Sequence, residues 1–93
     1  MSKSIRAGSP RGQRMYDFNS EVALLTRLRR GWTQRDVSDR CEQLGSGRVD
    51  DSNIAKYERG DLCPSPPSLA SLAAALELRV DDLIIMRKRE RAA

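Results

Sequence analysis

Residues 31–60 read GWTQRDVSDRCEQLGSGRVDDSNIAKYERG, and this stretch predicts two short helices joined by a glycine-containing link. In the first helix Thr33 is a favoured N-cap residue, and Asp36 follows at the position that completes a weak capping box. The inward face of this helix is predicted to carry apolar side chains at helical spacing, namely Val37, Cys41 and Leu44. We expect the helix to end at Gly45, Ser46 and Gly47.

The second helix of the stretch is predicted to begin after Asp50, because aspartate is a favoured N-cap residue. Ile54 and Tyr57 lie three residues apart and would form its inward face. Gly60 is placed to end it, since glycine adopts the left-handed conformation that closes many helices. The stretch therefore predicts a helix, a link and a second helix that share one apolar side.

A further helix is predicted before this stretch, over residues 20–30. Asp17 or Asn19 can cap it, and Gly31 would end it. Its inward stripe is expected to consist of apolar residues spaced by four, three and three positions: Phe18, Val22, Leu25 and Leu28.

Two more helices are predicted after it. Ser65 followed by Pro66 is a helix start, with a buried face of Leu69, Leu72, Ala73 and Leu76. A last helix would begin near Val80 and contain Asp81, Asp82, Leu83, Ile84, Ile85 and Met86. No stretch of the chain alternates apolar and polar residues with period two for long enough to predict a strand. The predicted fold class is thus all-α, a compact five-helix domain.

Charge divides the chain into three parts. Residues 1–16 hold Lys3, Arg6, Arg11 and Arg14 without an acid, and we interpret them as a basic, disordered arm. Residues 17–86 form the helical domain, and residues 87–93 form a basic tail. The arm is either an ordinary solvated terminus or a segment that lies along a nucleic acid.

Composition excludes several classes of protein. The chain has 93 residues, of which 32% are charged, and a net charge of +4 that points to a polyanionic partner. It has no His, so the commonest catalytic base and metal ligand is missing, and Cys41 and Cys63 alone cannot form a zinc site. We therefore expect no enzyme activity, no metal and no cofactor. No export signal or membrane span is visible, so we expect a cytoplasmic protein that does not bind membranes.

Three motifs occur together in order: Thr33-Gln34 at the start of a helix, Ile54-x-x-x-Glu58-x-Gly60 at the end of the next, and Leu69-x-x-Leu72-Ala73 beyond it. Over about residues 20–84 this order resembles the phage repressor/Cro-type (XRE-like) helix-turn-helix family. The resemblance implies a DNA-binding domain whose third helix enters the major groove while the second crosses the sugar-phosphate backbone.

The resemblance also implies roles for individual residues. Base edges would be contacted by Asp51, Ser52, Ala55 and Lys56. The DNA backbone would be contacted by Gln34 together with Thr33, Arg35, Arg48 and Arg59. Arg27 and Glu58 match a family pair that forms a partly buried salt bridge between the first and third helices.

Several of these residues also have an interpretation that involves no contact with DNA. Lys56 is also an ordinary surface lysine, Ser52 a solvated first-turn residue, and Asp51 an acid favoured by the helix dipole. The link before Asp50 is longer than is usual in the family. Either the second helix runs a turn longer, or a wing-like loop carries Arg48 toward the DNA backbone.

The leading functional hypothesis is a sequence-specific transcription regulator, which we expect to be a repressor. Because one recognition helix covers few base pairs, we expect a homodimer that binds a near-palindromic operator in double-stranded DNA. Its interface is predicted on the fifth helix, at Ile84, Ile85 and Met86, which cannot all face one small core. The alternatives are an antitoxin that binds a toxin partner, and a protein-interaction module that keeps the fold without reading DNA.

Overall fold

The computed structural model describes residues 15–45 and 47–86. In this part the chain forms five helices and two short strands. In chain order they are β1 (Tyr16–Phe18), α1 (Ser20–Arg30), α2 (Gln34–Leu44), α3 (Asp51–Arg59), α4 (Pro66–Leu76), α5 (Val80–Leu83) and β2 (Ile84–Met86). The predicted compact five-helix fold is confirmed, whereas the predicted basic arm and basic tail fall almost entirely outside the described residues.

Local capping signals place most helix ends where the sequence predicted them. The Thr33 hydroxyl accepts a hydrogen bond from the Asp36 amide at 3.0 Å, and Asp36 accepts one from the Thr33 amide at 2.8 Å, which is a complete capping box. Gly31 and Gly60 close α1 and α3 in the left-handed conformation, with φ of 73° and 80°. Asn19, not Asp17, caps α1 through its side chain.

The core lies between α2 and α4, with α1, α3 and α5 packed around them. Its fully buried side chains are mostly aliphatic, including Val37, Cys41, Leu72, Leu76 and Leu83. The apolar stripe predicted for α1 is wrong in part, because Leu25 and Leu28 are exposed and α1 buries Ala23 and Thr26 instead. Phe18 and Val22 do pack against the core.

The inward face predicted for α2 also needs correction at its last member. Leu44 is exposed, and Val49 in the link to α3 is buried in its place. The link leaves α2 at Gly45, which lies directly against α4: a Cβ built on Gly45 would be 2.7 Å from the Cα of Ser71. Absence of a side chain at position 45 therefore lets the link pass close to α4.

The predicted last helix is wrong beyond Leu83. Ile84–Met86 is a strand that pairs antiparallel with Tyr16–Phe18, in the register Tyr16 with Met86, Asp17 with Ile85, and Phe18 with Ile84. The expectation that the chain contains no strand is wrong for the same reason. Successive side chains of a strand point to opposite faces, so Ile84 packs against the core while Ile85 points away from it.

Candidate nucleic-acid interface

Helix α3 has one buried and one exposed face. Ile54 and Tyr57 are buried among the core residues. On the opposite side Ser52, Lys56 and Arg59 are exposed, spaced by four and three residues so that they follow one side of the helix. The exposed face therefore presents a hydroxyl, an ammonium and a guanidinium group in a row along the surface.

The remaining residues predicted to read bases lie at the edge of this exposed face. Asp51 and Ala55 are each half-buried. Asp51 lies in the first turn of α3, where an acid is favoured by the helix dipole. Asp50 occupies the N-cap position, but its side chain makes no capping hydrogen bond. It is exposed instead, which brings negative charge to the N-terminal end of α3.

A buried network fixes α3 against α1 and α2. Nε of Arg27 lies 2.7 Å from Oε2 of Glu58, and Nη2 lies 3.0 Å from Oε1, which forms the two-pronged ion pair expected from the family resemblance. The two side chains are only 13% and 8% exposed. Nη1 of Arg27 also donates to the backbone carbonyl of Trp32 at 2.9 Å. This carbonyl was not predicted from the sequence, since no residue type marks a backbone acceptor.

Gln34 joins the same network at the start of α2. Its Nε2 donates to Oε1 of Glu58 at 2.9 Å. A carboxylate only accepts hydrogen bonds, so the amide nitrogen must face Glu58. The second hydrogen on that nitrogen remains available to another acceptor. Glu58 thus orients the residue that the sequence predicted to contact phosphate.

Thr33 and Arg35 lie beside Gln34 at the N-terminal end of α2. The Thr33 hydroxyl is engaged in the capping box. Arg35 is 67% exposed and lies 3.8 Å from Asp39, one turn further along the helix. An exposed ion pair of this length contributes little to stability, so the guanidinium group can exchange Asp39 for another anion at small cost.

Arg48 does not extend from the link as a free side chain. Its Nη1 lies 3.0 Å from Oε1 of Glu42, and its Nε lies 3.3 Å from Oδ1 of Asp50. Its pKa is raised, first by the hydrogen bond with Asp50 and then by the contacts with Glu42. Helix α2 ends at Leu44, where the sequence predicted its end, and Arg48 lies in the link that follows. Arg48 then bridges the end of α2 and the start of α3.

Lys56 and Arg59 differ in their surroundings. Among the described residues, the ammonium group of Lys56 forms no ion pair or hydrogen bond. Nε of Arg59 lies 2.9 Å from the Asp61 carboxylate in the turn after α3, and both side chains are exposed. The exposed face of α3 therefore carries one unpaired cation near its middle and one paired cation at its C-terminal end.

The sheet lies beside that C-terminal end. The rings of Phe18 and Tyr57 are 6.0 Å apart, and the Tyr16 hydroxyl donates to the Pro64 carbonyl at 2.9 Å. An open cavity of about 310 Å³ lies between them, lined by Asp17, Phe18, Ser20, Tyr57, Gly60, Asp61, Leu62 and Cys63. The contact from Tyr16 was missed in the sequence, because the strand that carries it was not predicted.

Neither cysteine belongs to a site of its own. Cys41 is fully buried, as its place on the inward face of α2 predicted, and burial raises the pKa of its thiol to about 11. Cys63 is half-buried, and both thiols are free. Within residues 15–45 and 47–86, no group of three or more Cys, Asp or Glu side chains is arranged to hold a metal ion.

These features define a helix-turn-helix protein: two helices joined by a link, the second of which exposes a polar face. The family model described as helix-turn-helix matches residues 25–83, which is more than half of the chain, and the chain belongs to this family. Members are DNA-binding regulators, and that class is supported for this protein. No curated protein sequence matches the chain.

Two solved structures are similar to the fold. One is a point mutant of the restriction-modification controller protein C.Esp1396I, which is 27% identical, with a TM-score of 0.54 over 64% of this chain and 68% of that one. The other is the hypothetical transcription factor NHTF from Neisseria, which is 21% identical, with a TM-score of 0.57 over 89% and 88%. The second likeness concerns the fold alone.

None of the helices that the structure describes is long and apolar enough to cross a lipid bilayer.

Proposed function

We propose that the protein is a sequence-specific transcription regulator that reads the major groove with α3 and represses the promoter it occupies. The observation that carries this proposal is the exposure of Lys56 on α3, where its ammonium group has no ion-pair or hydrogen-bond partner within residues 15–45 and 47–86. An ammonium group can donate to O6 or N7 of guanine, and an unpaired one loses no internal partner when it does so. Ser52, one turn earlier, can pair with several bases.

The other predicted residues divide into two groups. Ala55 and Asp51 flank the exposed face and would contact bases by van der Waals contact and by accepting from cytosine. Phosphate oxygens would be held by side chains around the two helix ends, namely Thr33, Gln34, Arg35, Arg48 and Arg59. For Arg35 and Arg59, binding exchanges an exposed carboxylate for a phosphate, and for Arg48 it exchanges Asp50.

We further propose a homodimer on a near-palindromic operator, with the interface moved from the predicted helix to the sheet. Ile85 and Met86 are 53% and 61% exposed, and Met15, directly before β1, is exposed as well. The second copy would place a second α3 about 34 Å away on the same face of the DNA.

The likeness to a restriction-modification controller protein supports one kind of target, a promoter within a restriction-modification operon. That likeness has 27% identity over 64% of this chain. A dimer that occupies a promoter would block access of the polymerase to it, which is why repression is proposed rather than activation.

The experiment is selection of binding sites from a random duplex library, with the original chain and with Lys56→Ala, Arg59→Ala and Arg79→Ala. The original chain should select one near-palindromic motif. Lys56→Ala should cost about 1–3 kcal/mol and relax one base position in each half-site. Arg59→Ala should weaken all sites about equally, and Arg79→Ala, on the exposed start of α5, should change neither. Failure of the original chain to select any motif would overturn the proposal.

A second candidate function rests on the same exposed apolar side chains. If Ile85 and Met86 contact a different protein, the chain would serve as an antitoxin that binds a toxin, or as an interaction module that reads no DNA. Self-association in the absence of other proteins favours the regulator. A monomer that forms a stoichiometric complex with the product of a neighbouring reading frame favours the antitoxin.

A further inference from the structure

A cavity of about 300 Å³ lies at the C-terminal end of α1 and is lined by Thr26, Arg29, Arg30 and Leu78. Arg29 and Arg30 follow Thr26 by three and four positions, so all three lie on one side of α1. Leu78 comes from the link between α4 and α5. Cavities that hold small ligands begin at about this volume. None of the residues proposed to contact DNA lines this cavity, so it is a separate surface of the protein.

Thr26 contributes a buried hydroxyl group to the lining, since the residue is only 8% exposed. A buried threonine in a helix commonly donates to a backbone carbonyl of the preceding turn. The Thr26 hydroxyl, however, forms no hydrogen bond with any residue in 15–45 and 47–86. Because a buried polar group without a partner costs free energy, water in the open cavity must satisfy this hydroxyl in the free protein. An oxygen atom of a ligand can take the place of that water.

Arg29 and Arg30 give the cavity a positive lining that contains no acid. Arg29 is exposed and forms no ion pair or hydrogen bond within the part of the chain that the structure describes. Arg30 lies 3.1 Å from Glu77. The Glu77 carboxylate also lies 3.0 Å from Arg40, so one acid is shared by two guanidinium groups. Each guanidinium has five N–H donors, and Arg30 therefore retains donors for a further anion.

The helix dipole explains only part of this arrangement. Basic residues are favoured in the last turn of a helix, and Arg29 and Arg30 lie in the last turn of α1. The dipole accounts neither for the buried hydroxyl without a protein partner nor for the apolar residue in the same lining. Leu78 packs against the core, and its amide donates to the Ala73 carbonyl at 2.9 Å, which fixes its position. The lining thus combines two cations, a hydroxyl donor and a fixed apolar surface.

We propose that this cavity binds a small organic anion, whose phosphate or carboxylate group contacts Arg29, Arg30 and the Thr26 hydroxyl while its apolar part lies against Leu78. Guanidinium groups form charge-assisted hydrogen bonds with both kinds of anion, and the planar donor fork matches both. The inference goes beyond the proposed function, because it requires neither DNA nor a dimer.

Trp32 provides an intrinsic signal for occupancy of the cavity. It is the only tryptophan of the chain, and the guanidinium carbon of Arg30 lies 5.5 Å from the centroid of its ring. An anion that binds Arg30 changes the charge next to that ring, so we expect the fluorescence of Trp32 to change on binding.

The test titrates the full chain, without DNA, with n-butyl phosphate, pentanoate, inorganic phosphate and the neutral n-butanol. Fluorescence of Trp32 and isothermal titration calorimetry measure affinity and stoichiometry. The variants are Thr26→Val, Arg29→Gln and Arg30→Gln, and circular dichroism checks that each is folded. Thr26→Val keeps the shape of the side chain and removes no hydrogen bond to the described residues, so it should fold as the original chain does.

Arg79→Gln is the matched control. Arg79 follows Leu78 in the sequence and is 79% exposed, but it does not line the cavity. The control therefore removes the same charge near the cavity without removing a contact to the ligand, and any difference from Arg29→Gln reports the position of the charge.

The original chain should bind one molecule of n-butyl phosphate or pentanoate, and the tighter of the two identifies phosphate or carboxylate as the anionic group. Arg29→Gln and Arg30→Gln should each weaken binding about 10- to 100-fold, and Thr26→Val about three- to tenfold. Arg79→Gln should weaken it less than about twofold, because salt screens a charge that makes no contact. Inorganic phosphate and n-butanol should each bind more weakly than n-butyl phosphate, since each lacks one half of the ligand.

Several results would overturn the inference. One is that neither organic anion saturates the chain, and another is that Arg79→Gln weakens binding as much as Arg29→Gln, which would report net charge only. Inorganic phosphate or n-butanol binding as tightly as n-butyl phosphate would overturn the assignment of an organic anion. If n-butyl phosphate does not bind and Arg29→Gln instead weakens binding of a random DNA duplex, the cavity holds a DNA phosphate and no small ligand. Because the titrations contain no DNA, their failure leaves the proposed function standing.

Discussion

Glu58 in α3 accepts two hydrogen bonds from Arg27 in α1, at 2.7 and 3.0 Å, and both side chains are nearly buried. Replacement of Glu58 with Ala would leave the Arg27 guanidinium without its anion in a site that water reaches poorly. We expect Glu58→Ala to lower the free energy of unfolding by roughly 2–4 kcal/mol, a large part of the stability of so small a domain.

Asp61→Ala is the matched control, because it also removes a carboxylate that pairs with an arginine, but in an exposed pair. We expect its effect on the free energy of unfolding to stay within about 0.5 kcal/mol. Urea unfolding followed by circular dichroism measures both variants. Equal stabilities of the two variants would contradict the importance of the buried pair.

The close approach of Gly45 to α4 predicts a second effect on stability. In Gly45→Ala the new Cβ would lie 2.7 Å from the Cα of Ser71, which is backbone and cannot rotate away. We expect a loss of about 1–3 kcal/mol, because the link must shift. Gly47→Ala is the control, since no atom lies within 4 Å of its Cβ position. A melting temperature for Gly45→Ala as high as that of Gly47→Ala would refute this account.

Glu77 is a non-glycine residue in the left-handed conformation, and this predicts the relative stabilities of its alanine and glycine variants. It adopts φ of 61° at the end of α4, while its carboxylate lies 3.1 Å from Arg30 and 3.0 Å from Arg40. Both Glu77→Ala and Glu77→Gly lose these ion pairs, but only alanine retains the left-handed strain. We therefore expect the glycine variant to be more stable than the alanine variant by about 1 kcal/mol. Thermal denaturation of both variants in one buffer decides the order.

Burial of Cys41 predicts a loss of stability in alkaline solution. Its thiol has a pKa of about 11 in the folded protein and an ordinary value of 9.0. The unfolded chain releases this proton at lower pH than the folded protein does. The contribution of the protonated thiol to the free energy of unfolding is therefore complete below pH 9 and falls as the pH rises toward 11. The full difference amounts to about 2–3 kcal/mol.

Cys41→Ala isolates that contribution, because the variant has no thiol to titrate at this position. Its free energy of unfolding should fall less than that of the original chain between about pH 8 and about pH 10.5. Urea titrations at both pH values provide the comparison. If the free energy of unfolding falls equally in the two proteins, Cys41 is not the group that causes the loss of stability in alkaline solution.

Strand β2 separates the proposed dimer contact from the core. Ile85→Glu should abolish self-association and weaken operator binding while leaving the monomer folded, since Ile85 is more than half exposed. Ile84→Glu should instead destabilise the monomer, because Ile84 packs against the core and would bring a charge to it. Analytical ultracentrifugation and circular dichroism distinguish the two. A monomeric original chain, bound as one copy per operator, would rule out the dimer.

Helix starts and ends were predictable because their causes are local. The capping box of Thr33 and Asp36 and the left-handed Gly31 and Gly60 each involve residues within one helical turn. A sequence pattern records such short-range chemistry directly.

The inward face of α1 was not predictable in the same way. Val22, Ala23, Leu24 and Leu25 are consecutive apolar residues, so more than one stripe fits the helical period. The structure buries Ala23 and Thr26, and Arg27 on the same side reaches Glu58. Which stripe faces inward thus depends on the position of α3. Hydrophobic periodicity within α1 gives no information about that position.

The two strands were missed because each has three residues, too few for alternation to be visible. Their pairing joins Tyr16 to Met86 across most of the chain. Within the candidate site, exposure of Ser52 and Lys56 agrees with the sequence pattern. The engagement of Arg48 by Glu42 and Asp50 was not predictable, because it depends on how the link folds back over the end of α2.

The division of α3 into a buried and an exposed face has a consequence for divergence among descendants of this chain. Ile54, Tyr57 and Glu58 maintain the interior, whereas Ser52 and Lys56 contribute little to it. Inherited substitutions at the exposed positions are therefore nearly neutral for folding. Under the proposed function, lineages can acquire new operator preferences one mutation at a time while every intermediate remains folded, so related regulators in one cell can cease to bind each other's operators.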